Sequence, residues 1–171
     1  MSFLTELKGK LTYAYGPELI ELDSFTTTEI TTANTVSTLA THSANTLKSA
    51  DLIKIGYRAA VDNQSVGGED FTFTLDLGSD SFAQTVTVAA GDADIIGITA
   101  TLTRINSTTF LAEINFIHTA ETTGTITQFP VITTVTDTRV TECTITAENE
   151  TTVASGCDLI GNGGFLLIDS F

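Results

Sequence analysis

The sequence predicts an all-β chain, an antiparallel β-sandwich of jelly-roll type with about eight strands plus an N-terminal arm. Three observations carry that expectation. Threonine makes up about a fifth of the residues, and its branched Cβ is stiff at χ1, fits a pleated half-exposed surface and costs more in a helix. Only 2 prolines interrupt the chain, while 13 glycines gather at turn positions such as Gly67-Gly68, Gly91, Gly124 and Gly161 to Gly164. Finally, apolar and polar residues alternate with period 2 in successive segments, at the spacing of a sandwich or barrel.

Taken in order, residues 35–41 (TVSTLAT) open the series. Residues 52–61 (LIKIGYRAAV) put Ile53, Ile55, Tyr57, Ala59 and Val61 on one face, with Lys54 and Arg58 on the other. Residues 71–77 (FTFTLDL) turn Phe71, Phe73, Leu75 and Leu77 inward and Thr72, Thr74 and Asp76 outward. Phe82, Val86 and Val88 mark the next strand, Ile96, Ile98, Ala100 and Leu102 the one over 95–105, and Phe110, Ala112, Ile114 and Phe116 the one over 109–118. Between the last two, residues 104–107 read as a tight hairpin. The segment 125–135 contains Pro130, which lacks an N–H and so points to an edge or bulged strand. Residues 139–147 alternate Cys143, Ile145 and Ala147 with threonine, and FLLIDSF (165–171) closes the chain after a glycine-rich turn at 161–164. The expected core is Ile53, Ile55, Tyr57, Phe71, Phe73, Leu75, Val86, Val88, Ile98, Leu102, Phe110, Ile114 and Phe116.

A length of 171 residues suits one domain with a real core. Residues 31–171 are expected to form that sandwich. Before residue 30 the pattern changes: LTYAY (11–15) and ELIEL (18–22) are short and separated by Gly16-Pro17, so residues 1–30 read as an arm or an added pair of strands. Apolar surface left in water forgoes about 25 cal/mol per Å². The arm is therefore expected to pair at a sheet edge or to bury itself against a partner, and docking on a partner is the favoured expectation. The candidate contacts are Phe3, Leu4, Leu7, Lys8, Lys10, Leu11, Tyr13 and Tyr15.

Charge excludes whole classes of partner. With 7 Lys+Arg against 21 Asp+Glu the formal net charge is -14. Phosphate backbones are bound by Lys and Arg that displace condensed counterions, so no nucleic acid is expected, and an anionic membrane would repel the chain in the same way. No apolar run approaches the roughly 18 residues of a membrane span. The start MSFLTELKGK has no signal-peptide pattern, which makes synthesis in a cytoplasm the expectation. Hydrophobic residues at 42%, charged residues at 16% and a mean hydropathy of +0.22 place the chain among folding sequences.

Motifs that carry chemistry are not found, and no enzyme is expected. A hydrolytic triad needs a nucleophile, a base and an orienting acid converging in space. Of the two histidines, His118 lies at a strand end on the face of Phe110, Ile114 and Phe116, as a rim residue, and His42 lies in a polar loop with Ser43, Ala44 and Asn45. No nucleophile elbow, phosphate-binding loop or zinc-protease helix motif is present. Cys143 and Cys157 invite a disulfide, against which the absent signal peptide and the low cysteine count favour two buried thiols; neither has the partners that catalysis or zinc needs. Asp62, Glu69, Asp70, Asp76, Asp80, Asp92 and Asp94 flank turns without a recognised calcium spacing, so they read as solvated acidic loops. Neither metal nor cofactor is expected. The sequons at Asn63, Asn106 and Asn149 follow from threonine and serine abundance.

The run Thr35-Val36-Ser37-Thr38-Leu39, followed by Ser43-Ala44-Asn45-Thr46-Leu47-Lys48-Ser49-Ala50-Asp51-Leu52-Ile53-Lys54-Ile55, resembles a pattern of tailed-phage virion structural proteins. There, a first strand passes through a "pANTLkaGDvIrI" connection into a long second strand. The Phe71 to Leu77 and Phe82 to Val88 strands and the alternating terminal strand also fit, so the resemblance covers roughly residues 35–171. Ala50 stands where the pattern has glycine. The resemblance implies a jelly-roll sandwich used either as a capsid decoration (cement) protein or as a receptor- or glycan-binding head of a fibre or baseplate. It also implies a homotrimer, a major capsid protein as partner, and a place on the capsid exterior after assembly in the host cytoplasm. Sugar rings stack on exposed aromatics, and Trp is 0 and Tyr is 3 here, which favours the decoration protein.

Overall fold

Where branched or aromatic residues alternate with threonine, the chain runs extended, because β-branched side chains pack best on a pleated surface. A computed structural model describes residues 18–22, 27–30, 36–43, 50–136, 142–150 and 157–169. The described strands are β1 (Glu18–Leu22), β2 (Thr27–Ile30), β3 (Val36–Ser43), β4 (Leu52–Asn63), β5 (Glu69–Leu77), β6 (Asp80–Val88), β7 (Ala93–Asn106), β8 (Thr109–Thr119), β9 (Ile126–Thr136), β10 (Glu142–Asn149) and β11 (Cys157–Asp169). Every pairing among them is antiparallel.

Two sheets result. One runs β1-β11-β4-β7-β8-β9, with β2 also paired to β11; the other runs β3-β10-β5-β6. Counting β1 and β2 as a single broken strand, the first sheet reads first, eighth, third, sixth and the second reads second, seventh, fourth, fifth. That is the strand order of a jelly roll. The hairpin β8–β9 is an addition that widens the first sheet beyond β7. Residues 18–22 and 27–30 thus pair on the same sandwich, side by side with the C-terminal strand. The eight arm residues singled out as contacts, Phe3 to Tyr15, lie outside the described residues.

The inward faces of both sheets meet in a single core. β4 contributes Ile53, Ile55, Tyr57, Ala59 and Val61, β5 contributes Phe71, Phe73, Leu75 and Leu77, and β7 and β8 contribute Ile96, Ile98, Leu102, Phe110, Ile114 and Phe116. All thirteen residues expected in the core are buried. Fully burying one such side chain stabilises the fold by about 1.5–3 kcal/mol relative to leaving it exposed. Phe82, Phe129 and Val131 pack against this core while staying partly exposed, because their strands β6 and β9 are the edges of their sheets.

Three local expectations are corrected. The glycine-rich segment 161–164 is not a turn: β11 continues through it, and the register with β4 shifts between Gly161 and Gly163. This is a β-bulge, with Gly163 at φ 84 supplying the left-handed residue that such a kink favours. Across the same bulge the neighbouring strand is interrupted, since β2 ends its pairing at Ile160 and β1 begins at Gly164. The hairpin at 104–107 turns at Ser107-Thr108, with a register shift between Arg104 and Asn106. Asn106 Oδ1 accepts hydrogen bonds from the Thr108 amide at 2.9 Å and its hydroxyl at 3.2 Å. His42 lies within β3 opposite Cys143, not in a loop. Pro130 does sit in an edge strand, opposite Asn115, where one side of the backbone has no ladder to break.

Candidate functional site

The chemistry-bearing side chains gather first at one rim, where β4 ends, β7 begins and β8 ends. Asn63, fully buried at the last position of β4, is its hub. Its Nδ2 donates to the carbonyls of Gly67 at 3.0 Å, Val88 at 2.9 Å and Ala89 at 3.2 Å, and its Oδ1 accepts from the Ser65 amide at 3.0 Å. Its backbone N–H donates to the Asp92 carbonyl, and its carbonyl accepts from the Gly91 amide. One amide therefore ties two loops to the sheet and is closed to any glycosyl transfer. Asn63→Ala is expected to cost about 2–4 kcal/mol, because the buried Val88 carbonyl and two part-buried carbonyls lose their donor at once. A urea midpoint unchanged from wild type would contradict this.

Beside the hub, Asp94 is buried at 2% exposure, and its Oδ2 lies 2.7 Å from His118 Nε2. Asp94 Oδ1 accepts from the Glu121 amide at 2.8 Å, and Glu121 returns a carboxylate oxygen to the Ala93 amide at 2.7 Å. Thr122 donates its hydroxyl to Asp92. These contacts fasten the β8–β9 loop to the start of β7. They also correct the expectation of solvated acidic loops: Asp94 belongs to β7, and Glu69, 4% exposed, starts β5 and accepts from the Asn149 amide nitrogen at 3.5 Å. Neither serine, threonine nor cysteine shares a hydrogen bond with His118 or Asp94 among the described residues. Nor do three His, Cys, Asp or Glu side chains come together there in a way that could hold a metal ion.

Cys143 is a free thiol, buried on the inward face of β10. Loss of hydration, and secondarily the nearby Asp76 carboxylate, push it up to about 12 from the ordinary 9.0. Such a thiol stays protonated at neutral pH and is no nucleophile. The sign of the pH effect follows: the unfolded chain ionises first, so the stability this group contributes is fully present below about pH 9 and is lost as pH rises toward 12. Denaturant titrations between about pH 8 and about pH 11 should show stability falling more steeply in wild type than in Cys143→Ala. Equal slopes would contradict the assignment.

The two outward faces share threonines and carboxylates, and the larger one adds two cations. On the four-stranded sheet, Thr38, Thr41, Thr72, Thr74, Thr85, Thr87, Thr144 and Thr146 point away from the core with Asp70, Asp76, Glu142 and Glu148. Cross-strand hydroxyl contacts join Thr41 to Thr144 at 3.1 Å and Thr72 to Thr85 at 2.6 Å, and Thr87 donates to Asp70 at 2.6 Å. Pairs of this kind stabilise a sheet by a few tenths of a kcal/mol each. The outward face of the larger sheet carries Lys54 and Arg58, both exposed, together with Asp62, Glu113, Thr99, Thr101 and Thr103 and half-exposed Leu52, Ile95, Leu111 and Ile117. Toward its edge, Ile126 and Ile132 are 62% and 71% exposed.

No protein-family model matches the chain, and no curated protein matches it in sequence. Solved structures similar to it include virus-particle proteins. For a particle of infectious bursal disease virus the identity is 11% and the TM-score 0.41, over 90% of this chain and 31% of that one. For the VP2 subviral particle of the same virus the values are 12% and 0.39, over 91% and 32%. The chain thus spans about a third of the length of those chains.

Sequence reasoning placed Lys54 and Arg58 on the outward face and His118 at the rim. It missed the Asn63 hub and the Asp94–His118 pair, which join strands distant along the chain. The one available signal was parity: Asp94 and His118 continue the inward alternation of Ile96 and Phe116 by one step.

Proposed function

We propose that this chain is a non-enzymatic structural protein of a tailed-phage virion, a decoration protein that binds outside the shell of the major capsid protein and stabilises it. The observation that carries the proposal is the jelly-roll order of the sheets around the segment that bears the phage-like pattern. That segment leads straight into β4, a central strand of the larger sheet. At its end, Arg104 donates from Nε to the Ala50 carbonyl at 2.8 Å and from its backbone amide to the Asp51 carbonyl at 2.8 Å. The guanidinium stacks 4.3 Å from the centre of the Phe110 ring. Ala50, which replaces the pattern's glycine, is fully buried. The entry into β4 at Ala50 and Asp51 is therefore tied to β7.

On this reading the chain forms a homotrimer, each copy bringing a charge of -14. That self-repulsion has to be outweighed by apolar contacts, so association strengthens with moderate salt. Residues 1–15 dock on the shell protein or a neighbouring subunit, Phe3, Leu4, Leu7, Leu11, Tyr13 and Tyr15 supplying apolar area and Lys8 and Lys10 steering toward acidic surface. Deleting residues 1–15 is expected to leave a folded sandwich, since the described strands begin at Glu18, that no longer decorates particles. Undiminished binding by the truncated chain would place docking elsewhere; failure of the truncated chain to fold would place those residues in the core.

A further inference from the structure

We infer that residues 11–15 of one copy add as a strand to the outer edge of β9 in a neighbouring copy. This pairing rests on the arm docking proposed above and adds to it the edge that receives the arm. β9 is the last strand of the larger sheet, and no other described strand pairs beyond it. Sheet edges are normally blunted by shortness, charge, a bulge or proline, because their unpaired N–H and C=O groups accept any strand that fits. Apart from Pro130, β9 lacks these protections. Its 11 residues make it longer than the other described edge strands, β1 with 5, β2 with 4, β3 with 8 and β6 with 9. Its register against β8 runs without a shift, and Ile126 and Ile132 are largely exposed. In a chain of net charge -14, the segment ITQFPVITTVT holds no charged residue.

The ladder fixes which backbone groups face outward. The Ala120 N–H donates to the Thr125 carbonyl at 3.0 Å, in the same register that pairs Thr119 with Ile126. Bonded and non-bonded pairs alternate along an antiparallel ladder, so Thr127, Phe129, Val131, Thr133 and Val135 exchange hydrogen bonds with β8. Gln128, Pro130, Ile132 and Thr134 turn their backbone groups away from it, which is the one parity at which a residue without an N–H breaks no ladder bond. Beyond Pro130, the Ile132 and Thr134 N–H and C=O groups are offered to a strand of about five residues. Phe129 and Val131, on the core side of this edge, are only partly buried, so an added strand with an apolar face also covers them. The segment LTYAY (11–15) fits in length and chemistry: it carries no charge, and alternation puts Leu11, Tyr13 and Tyr15 on one side and Thr12 and Ala14 on the other. A chain's own segment cannot reach. From β1, which begins at Glu18, to β9 there are five steps across the sheet, roughly 24 Å at about 4.8 Å per strand. Tyr15 is joined to Glu18 through Gly16 and Pro17 alone, a reach of at most about 11 Å. The strand at this edge therefore comes from a second copy. Each copy gives one arm and receives another, a head-to-tail contact that closes into a ring such as a trimer.

Analytical ultracentrifugation of full-length chains tests the pairing with two variants. Ile132→Pro/Thr134→Pro removes the two outward donors while sparing the bonds to β8, and Thr12→Pro/Tyr13→Pro spoils the arm as a strand whichever of its edges faces β9. Wild type is expected to form oligomers, and each variant alone to associate at least about tenfold more weakly. A mixture of the two, one chain supplying an intact arm and the other an intact edge, should form one-to-one heterodimers. Ile132→Asp, at an exposed position, replaces the edge variant should the double proline change unfold the chain, and is expected to weaken association in the same sense. Association equal to wild type in both variants overturns the pairing; if the arm variant then fails to bind particles, the arm docks on the shell protein and the decoration reading stands. Association lost in the edge variant but kept in the arm variant makes the occupant a second β9, which also overturns the pairing. Wild-type chain that stays monomeric at high salt overturns the homotrimer, and this pairing with it.

Discussion

Alanine at position 164 is expected to destabilise the protein by at least about 3 kcal/mol, because its methyl group has nowhere to go. A Cβ built on Gly164 lies 2.0 Å from the Gly56 carbonyl oxygen and 2.8 Å from Tyr57 Cα. Both are backbone atoms of β4, the strand to which β11 is paired along most of its length. A side chain could swing aside; a paired backbone cannot move without opening the ladder between the C-terminal strand and the centre of the larger sheet. Gly67→Ala is the matched control, as nothing lies within 4 Å of the added methyl there, and its effect should fall within about 0.5 kcal/mol. Urea denaturation of both variants checks the pair, and a loss below about 1 kcal/mol at Gly164 would contradict the close approach of β11 to β4.

Truncating Phe73 to alanine is expected to cost about 3–5 kcal/mol, the sum of lost transfer energy and an unfilled cavity. Phe73 is 1% exposed in the middle of β5, flanked by Ala147 of β10 and Gln84 of β6. Its small neighbour Ala147 leaves the ring to fill the space between the sheets, so the cavity cannot collapse cheaply. Thr74→Ala, one step along on the outward face, should cost far less. Comparable losses at the two positions would mean that the sheet faces are inverted.

How legible the fold is in the sequence depends on where each strand finds its partner. β5 and β6, or β7 and β8, are neighbours along the chain, and the alternation in FTFTLDL or in TFLAEINFIH reports their buried face directly. β1 and β2 pair with β11, the last strand. Their nine residues are too few for a periodic signal, and nothing local announces a partner at the far end of the chain. The same non-locality hides the bulge at 161–163: four residues rich in glycine look like a turn until the register of β4 shows the strand continuing. Asp94 and Glu69 were misread for a related reason. Carboxylates next to glycine and asparagine look solvated, and only the arrival of His118 or Asn149 from another strand makes their burial tolerable. Lys54 and Arg58 were legible as a face because one strand carries both.

The claim that this chain is a virion structural protein of the decoration kind is tested most directly by fractionating particles from an infected culture into heads and tails and quantifying the chain in each. The account predicts that it sediments with assembled heads, in a fixed ratio to the major shell protein, and is released without disrupting the shell. Recovery with tails or baseplates would contradict it and favour a receptor- or glycan-binding head; absence from both fractions would contradict a virion role altogether.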